Sequence, residues 1–381
     1  MRMKNILVYF GPKRTFLTLL PPETPWTSLT DLALRSDARQ REHVFKIQGR
    51  RQNEAENTEM LKTPVPCVVA FSDEYAAISE HAIQGFLAFL SQFDIEELYL
   101  QNPPVYLVEQ LSKLGKEVRA AHYQYGTVDA RLLGRFNTEY DRRIIGQQAA
   151  KKQLMTALFP LTREARTKPV VLLFYGPAGV GKTETAKLLG EMMGQKLFRK
   201  QFSMFHSNDF ANYLFGGRHS QISLAKELME RESNILLFDE FDKPNPIFHS
   251  AFYQLFDEGI YHDKNYYAEV SRAIIICTSN YESADEAQMK LGPPLFSRFD
   301  AVIPFDMLSD EANRIIITNE YAALLASYTP HEQEIINRLP VMGDLLLQAK
   351  ELCNARQVKR AVQDAFSRAL LADLLESSSA E

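Results

Sequence analysis

The sequence predicts an α/β protein with parallel sheets, a smaller α/β domain at the N-terminus and a helical domain at the C-terminus. In residues 1–130, strand-length apolar runs alternate with amphipathic stretches, as in βαβ units of a parallel sheet. Three further buried runs follow, and the first passes through a glycine-rich loop into a helix. Helical periodicity dominates the end of the chain. We expect domains at 1–130, 131–307 and 308–381.

The composition is typical of a soluble globular protein and argues against several other classes of protein. The chain has 381 residues, a net charge of −5, 45% hydrophobic and 24% charged residues, as in soluble globular proteins. This balance gives no global attraction to nucleic acid or anionic membranes, and no apolar run is long enough for a membrane helix. The three cysteines, without CxxC spacing, argue against a zinc site or a disulfide framework. We expect a cytoplasmic protein.

The first domain contains predicted strands and helices but no glycine-rich phosphate loop. Strands are expected at NILVYFG, PCVVAFS, EELYLQN and EVRAAHY, and helices at EHAIQGFLAFLSQF and PVYLVEQLSKLG, the second ending at Gly115. The segment 71–81 holds polar residues that suggest chemistry, but we interpret it as an N-capped helix with acids in its first turn. The basic segment 35–51 is expected to be a solvated loop, with a nucleic-acid or partner contact as the alternative.

The strongest motif is VVLLFYGPAGVGKTET, a strand, loop and helix in the order of a P-loop. Glycines allow the backbone to wrap around phosphates, and the amides at the helix N-terminus favour an anion. Lys182 is expected to reach the β- and γ-phosphates of ATP, and the Thr183 hydroxyl to hold Mg²⁺. The expected nucleotide-binding residues here are Gly176, Pro177, Ala178, Gly179, Val180, Gly181, Lys182, Thr183 and Glu184.

Two later strands end in polar residues that complete such a site. In SNILLFDEFDK, Asp239 is expected to complete the Mg²⁺ shell and Glu240 to act as the general base for an attacking water. In AIIICTSN, Asn280 is a candidate for orienting that water. The alternatives are an acidic turn after the first strand and a polar cap at the end of the second.

The order of these motifs, followed by LFSRFDAVIPF and CNARQVKRAVQ, resembles the AAA+ ATPases, and among them the Clp-type unfoldases, over about residues 138–370. The resemblance implies that Arg298 is an arginine finger for a neighbouring subunit and that Arg356 is the sensor arginine of the helical domain. It also makes Asn280 the first sensor and places Ile144 and Ile145 at the adenine. A finger acting in trans implies a ring or arc, with a hexamer favoured. Each arginine has a surface ion pair as its alternative.

The stretch YLFGGRHSQISL, residues 213–224, departs from the family pattern. In the resembling unfoldases this loop carries an aromatic residue that grips polypeptide in the ring pore. Here the loop is shorter and that aromatic is missing. We expect Tyr213 and Phe215 to pack on the core, and Arg218 and His219 to occupy the tip, either as a solvated turn or as a contact. The segment GIYHDKNYYAEV keeps the length of the second pore segment, and its tyrosines indicate binding or a subunit interface.

The predicted function is Mg²⁺-dependent ATP hydrolysis in an oligomer that remodels or switches a protein partner recruited by residues 1–130. One alternative is an ATP-gated scaffold that regulates a separate effector, for example in a defence system. Another is a nucleic-acid-dependent ATPase or loader. No membrane partner is expected.

Overall fold

A computed structural model describes residues 3–22, 24–38, 62–204 and 207–379. The strands are β1 (Asn5–Phe10), β2 (Trp26–Ser28), β3 (Thr63–Ala70), β4 (Phe93–Gln101), β5 (Arg119–His122), β6 (Val170–Tyr175), β7 (Phe198–Gln201), β8 (Ile235–Asp239), β9 (Ile260–His262), β10 (Tyr267–Glu269), β11 (Ile274–Thr278) and β12 (Ala301–Pro304).

The α-helices are α1 (Lys13–Thr18), α2 (29–38), α3 (Glu80–Gln84), α4 (Phe86–Leu90), α5 (Val105–Ser112), α6 (Ala130–Arg143), α7 (Gln148–Leu158), α8 (Lys182–Met192), α9 (Ser207–Phe215), α10 (Leu224–Met229), α11 (Tyr253–Glu258), α12 (Ala284–Leu291), α13 (Pro293–Phe296), α14 (Asp310–Leu325), α15 (Pro330–Arg338), α16 (Val341–Leu347) and α17 (Ala355–Ser379). Short 3-10 turns cover Glu74–Ala77, Phe159–Thr162, Phe202–Met204, Pro246–Phe252 and Gln348–Glu351.

The chain forms two compact units that differ from the three expected domains. Unit 1 consists of Met1–Gly126, Phe205–Glu232 and Ser250–Ser271. Unit 2 consists of Thr127–Met204, Ser233–His249 and Arg272–Glu381. Two segments expected within 131–307 therefore belong to the same unit as the N-terminal sheet.

The sheet of unit 1 is parallel, with the strand order β2-β3-β4-β1-β5. Its register pairs Asn5 with Glu97 and Leu7 with Arg119, so β1 lies between β4 and β5. Apolar side chains cover both faces of the sheet: Ile6 and Val8 pack on one face, and Tyr9 packs on the other with Val69. Burial on both faces explains why these strands read as continuous apolar runs.

The helices of unit 1 depart from expectation in two places. The stretch EHAIQGFLAFLSQF forms two short helices, α3 and α4, which meet at Gly85 because glycine weakens a helix interior. Instead of one capped helix, residues 71–81 form a 3-10 turn and the start of α3, whose N-cap is Ser79. The basic segment 35–51 lies mostly outside the described residues.

The segments 205–232 and 250–271 add a second layer of structure to unit 1. They contain α9, α10, α11 and an antiparallel ribbon of β9 and β10. Ser223 caps α10, and its side chain accepts a hydrogen bond from the Lys226 amide. Gly259, at a φ of 74°, ends α11 in the left-handed region that glycine adopts without strain.

The sheet of unit 2 is also parallel, with the order β12-β6-β11-β8-β7. Its central strands are the apolar runs VVLLFY, ILLFD and IIICT, buried almost throughout. The register pairs Thr278 with Phe174 and Gln201 with Asp239, so the carboxyl ends of these strands meet at one edge. That edge holds the glycine-rich loop after β6 and the two polar strand ends noted in the sequence.

The C-terminal helices of unit 2 have a core of their own, formed by Ile317, Tyr321, Ile336, Leu345, Val358, Val362, Phe366 and neighbours. Ser309 caps α14 by accepting a hydrogen bond from the Ala312 amide. A capping box of Thr329 and Glu332 begins α15. In the part of the chain that the structure describes, no helix combines the length and apolarity needed to cross a bilayer.

Candidate active site

The loop between β6 and α8 has a backbone that only glycine adopts easily. Gly176, Gly179 and Gly181 have φ angles of 129°, 78° and 114°. A Cβ atom on Gly176 would lie 2.1 Å from the carbonyl oxygen of Phe305. The loop therefore needs glycine for its conformation and for its close approach to the chain after β12.

Lys182 begins α8 and folds back over this loop. Its ammonium donates to the carbonyl oxygens of Gly176 (2.6 Å) and Pro177 (2.7 Å) and approaches Asn280 Oδ1 at 3.4 Å. Burial lowers the pKa of Lys182 from 10.5 to about 8, although the nearby carboxylate of Asp239 opposes the shift. The carbonyls of the loop thus hold the desolvated Lys182 ammonium at the N-terminus of α8.

One hydroxyl joins the two acidic residues at the end of β8. Thr278, at the end of β11, donates to Asp239 Oδ1 at 2.5 Å and accepts from the Glu240 amide at 3.1 Å. Glu240 has a φ of 56°, which is strained for a residue other than glycine. The Phe241 amide donates to the Thr278 carbonyl at 2.8 Å. β11 therefore fixes the Asp239 carboxylate and the backbone at Glu240.

The Asp239 carboxylate also contacts groups on two other elements. Thr183 Oγ1, on α8, lies 3.5 Å from Asp239 Oδ1. Arg199, on β7, binds Oδ2 through Nε (3.1 Å) and a terminal nitrogen (2.5 Å). Arg199 was not predicted from the sequence, because a single arginine on a short strand forms no recognisable motif. The register of β7 and β8 is the signal that places it here.

These groups line a cleft of about 710 Å³ in unit 2. The lining includes most of the expected site: Ile144, Ile145, Ala178, Gly179, Val180, Gly181, Lys182, Thr183, Glu184, Asp239, Glu240, Asn280 and Arg356. Glu184 is paired with Arg143, at 3.0 Å between its carboxylate and the guanidinium. Gln147 lies buried behind the loop and donates to the carbonyls of Val180 and Asp306, which ties the loop to the chain after β12.

The C-terminal helices contribute directly to the cleft. The Ala355 amide donates to the Gly179 carbonyl at 3.1 Å, and a Cβ on Gly179 would lie 3.1 Å from the Asn354 side chain. Arg356, two residues on, is exposed along the cleft.

The comparisons with known proteins agree with this geometry. Residues 167–342 match the family model of the AAA domain (Cdc48 subfamily). The chain contains an AAA+ ATPase module of the Clp type. The chaperone protein ClpB of Mycobacterium tuberculosis (strain ATCC 25618 / H37Rv) is 28% identical over 271 residues, covering 65% of this chain and 31% of that protein. The ClpA homolog protein of Fuscovulum blasticum is 26% identical over 280 residues, covering 65% and 35%.

A solved structure is similar in fold to the AAA+ chain. A closed-state cryo-EM reconstruction of Hsp104 with ATPγS and FITC casein matches with a TM-score of 0.53 at 15% identity. This match covers 99% of the present chain and 90% of the other. The chain spans about a third of the length of the two curated relatives.

The AAA+ cleft has groups that fit ATP and Mg²⁺. Among the described residues, the Lys182 ammonium is hydrogen-bonded by two loop carbonyls and an amide oxygen, so a phosphate can take their place. The buried Ser279 hydroxyl has no hydrogen-bond partner among the described residues. Thr183 and Asp239 present two oxygens side by side. Within the described ranges no cluster of three or more His, Cys, Asp or Glu could hold a metal, and Mg²⁺ is usually bound by few carboxylates together with substrate phosphates.

Three expected site residues do not line the cleft: Gly176 and Pro177, whose carbonyls hold Lys182, and Arg298. Arg298 alone of these lies away from the glycine-rich loop. It follows α13 and is partly exposed, and its guanidinium donates to the Pro294 carbonyl. Its role as a finger for a neighbouring subunit stays a prediction. The oligomer itself stays a prediction.

The shortened loop differs from part of its expectation. Tyr213 is buried and its hydroxyl donates to Glu227, whereas Phe215 is 47% exposed. At the tip Arg218 is exposed, but His219 is only 6% exposed. Of the tyrosines in 259–270, Tyr261 and Tyr266 are buried, and Tyr267 is 38% exposed.

Proposed function

We propose that the chain is a cytoplasmic Mg²⁺-dependent ATPase that assembles into a ring or arc and remodels or switches a protein partner. Residues 1–130 would recruit that partner. The observation that carries the proposal is the Thr278 hydroxyl, which bridges the Asp239 carboxylate and the Glu240 amide. Such a bridge gives two adjacent acids different surroundings, as metal binding and proton transfer require.

Each of the main cleft residues would have a separate role in ATP hydrolysis. Thr183 and Asp239 would hold Mg²⁺, which supplies charge neutralisation on the phosphates. Lys182 would leave its loop carbonyls for the phosphates, and the glycine-rich backbone would donate its amides to them. Glu240 would accept a proton from the attacking water, with Asn280 as its neighbour across the cleft.

Two variants test the enzymatic half of the proposal. Lys182→Ala removes the phosphate contact, so both ATP binding and turnover should fall. Glu240→Gln keeps the shape and the amide of residue 240 but removes its basicity, so it should bind ATP and lose turnover by about 100-fold or more. Binding is measured with a fluorescent ATP analogue and turnover by phosphate release. Unchanged turnover in Lys182→Ala would refute the site.

A mixing experiment tests the shared site. Arg298→Ala and Lys182→Ala should each be inactive, since one lacks the finger and the other the phosphate lysine. Mixed oligomers contain some interfaces with an intact Lys182 in one subunit and an intact Arg298 in its neighbour, so turnover should return in part. Arg314→Ala, at an exposed position of α14, is the matched control and should remain active. No recovery in demonstrated mixed oligomers would contradict completion in trans.

The ATP-gated scaffold is a second candidate, favoured by the burial of His219 at the shortened tip. A scaffold needs ATP binding but no gripping loop. The Glu240→Gln variant with ATP distinguishes the two. A scaffold should keep its partner bound and regulated without hydrolysis, whereas a remodeller should trap its partner unchanged. Recovery of the bound partner on the immobilised variant identifies what residues 1–130 hold.

A further inference from the structure

Two loops that belong by sequence to the AAA+ module are part of unit 1. The first tip is residues 216–221, between α9 and α10, and the second tip is residues 263–266, between β9 and β10. Both lie in segments that group with residues 1–126. The order of the chain links these segments to the active site, since 205–232 joins β7 to β8 and 250–271 leads from the end of β8 to β11.

The two tips are bonded to each other. The Asn265 side chain donates to the Gly217 carbonyl at 3.1 Å, and the Lys264 amide donates to the Phe215 carbonyl at 3.1 Å. Gly216 has a φ of 80°, and a Cβ there would lie 3.0 Å from the Lys264 amide nitrogen. The Tyr266 hydroxyl donates to the His219 carbonyl at 3.1 Å in a buried bond. These contacts make the tips one structural element.

The same element is bonded to the N-terminal sheet region. His219 Nε2 lies 2.8 Å from the Ile78 carbonyl oxygen in a buried contact. Because a carbonyl only accepts, the proton of His219 is on Nε2. Beside it, the Val105 amide, at the start of α5, donates to the Asn265 carbonyl at 2.8 Å. One tip therefore binds the turn before α3, and the other binds the N-terminus of α5.

The burial of these contacts argues against a free loop. His219 is 6% exposed, and Tyr266 and Tyr75 are fully buried. A loop that must grip an external chain has to expose the groups that make the contact. Here the His219 ring, the Tyr266 hydroxyl and the Asn265 side chain make their hydrogen bonds within unit 1. Leaving a buried donor or acceptor without a partner would cost free energy.

We propose that the two tips are a docking element for the N-terminal α/β region, which couples residues 1–126 to the nucleotide at the AAA+ site. A change at Asp239 or Thr278 on ATP binding reaches the tips through the chain segments attached to β8 and β11. It then reaches the turn before α3 and the N-terminus of α5 through His219 and Asn265. The nucleotide dependence rests on the proposed ATPase function, whereas the docking does not.

Two pairs of variants of the full chain test the docking. His219→Ala removes one contact, and Arg218→Ala, at the exposed neighbour, is its control. Val105→Pro removes the amide that Asn265 accepts from. Proline suits the first position of a helix, and Pro104 already has the extended backbone (φ −53°, ψ 146°) that precedes a proline. Val105→Ala keeps the amide and is the matched control.

Hydrogen exchange by mass spectrometry gives the readout, without nucleotide and with saturating ATP in the Glu240→Gln background. Without nucleotide, His219→Ala should speed exchange in residues 74–84, and Val105→Pro in 106–112, by about three- to tenfold. Both controls should match the parent. With ATP, exchange in 74–84 and 106–112 should change in the parent and controls, and stay unchanged in the two docking variants.

The outcomes separate the two proposals. If both docking variants exchange like their controls in 74–84 and 106–112 without nucleotide, the docking is refuted, whatever ATP does. If ATP binds, as shown with a fluorescent analogue, but leaves these residues unchanged in the parent, the coupling is refuted while the ATPase stands. If the parent binds no ATP, the proposed function and the coupling fail, and the nucleotide-free comparison still decides the docking.

Discussion

Replacing Thr278 by valine tests whether one hydroxyl organises the active site. Valine has nearly the same shape, so the change removes hydrogen bonds rather than packing. The variant loses a donor to the Asp239 carboxylate at 2.5 Å and an acceptor for the Glu240 amide at 3.1 Å. The matched control is Thr278→Ser, which keeps the hydroxyl and loses one methyl group.

The magnitude follows from these two bonds. A hydrogen bond to a charged group contributes about 1.5–3 kcal/mol, and leaving the amide unsatisfied adds about 1 kcal/mol. The variant should therefore lose about 2.5–4 kcal/mol of unfolding free energy. In a unit of about 150–250 residues, each kcal/mol lowers the Tm by about 2–4 °C. The serine control should lose only about 1 kcal/mol, for one buried methyl group.

The functional effect should be larger on turnover than on binding. Glu240 has a φ of 56°, and the Thr278 hydroxyl helps to hold its backbone there. Without that bond the Glu240 carboxylate is no longer held in the orientation that catalysis requires, so kcat should fall by about tenfold or more. Affinity for ATP should change by less than about threefold, because the phosphate-binding loop is untouched.

Thermal melting, phosphate release and titration with a fluorescent ATP analogue measure the three effects. If Thr278→Val melts and turns over like Thr278→Ser, the hydroxyl does not organise the site. A fall in affinity equal to the fall in kcat would show that the loop depends on Thr278, contrary to the contacts described.

Three other expectations concern the loop, its lysine and the thiols. Gly176→Ala places a Cβ 2.1 Å from a backbone oxygen and should abolish ATP binding. Gly115→Ala is the control, because no atom lies within 4 Å of its Cβ. It should cost only about 1 kcal/mol of stability and leave ATP binding intact. Burial lowers the pKa of Lys182 to about 8, so above that pH the free protein must take up a proton to bind phosphate. ATP affinity should therefore fall by up to about tenfold per pH unit. An ATP affinity that stays constant between about pH 7 and pH 9.5 would contradict this. Cys353 is exposed while the other two cysteines are buried, so a thiol reagent should modify one group per native chain and three in denaturant.

The candidate site residues that the sequence indicated most clearly lie in local motifs, and the structure brings most of them to one cleft. The glycine-rich loop with Lys182 and the acidic end of β8 lie in short segments whose spacing alone indicates a nucleotide site. β11 was correctly predicted as a buried strand ending in polar residues. The bridging role of Thr278 was not predicted, because it depends on the register between β11 and β8.

Contacts between segments that are far apart in the chain could not be predicted from the sequence. Arg199 binds Asp239 across two paired strands, and His219 meets a carbonyl 141 positions earlier in the chain. The periodicity of apolar residues along a sequence does not indicate which distant segments pair. The exposure of Phe215, expected in the core, has the same origin, since the tip contacts position the end of α9.

The path of the chain also has a consequence for synthesis on the ribosome. Unit 1 begins with residue 1 but is complete only when Ser271 has been made, after most of the sheet strands of unit 2. At about 5–20 residues per second, the nascent N-terminal sheet waits about 7–30 seconds for its last segment. During that interval the Ile78 carbonyl before α3 and the Val105 amide of α5 lack the partners that His219 and Asn265 supply. An isolated fragment of residues 1–130 would lack these partners permanently.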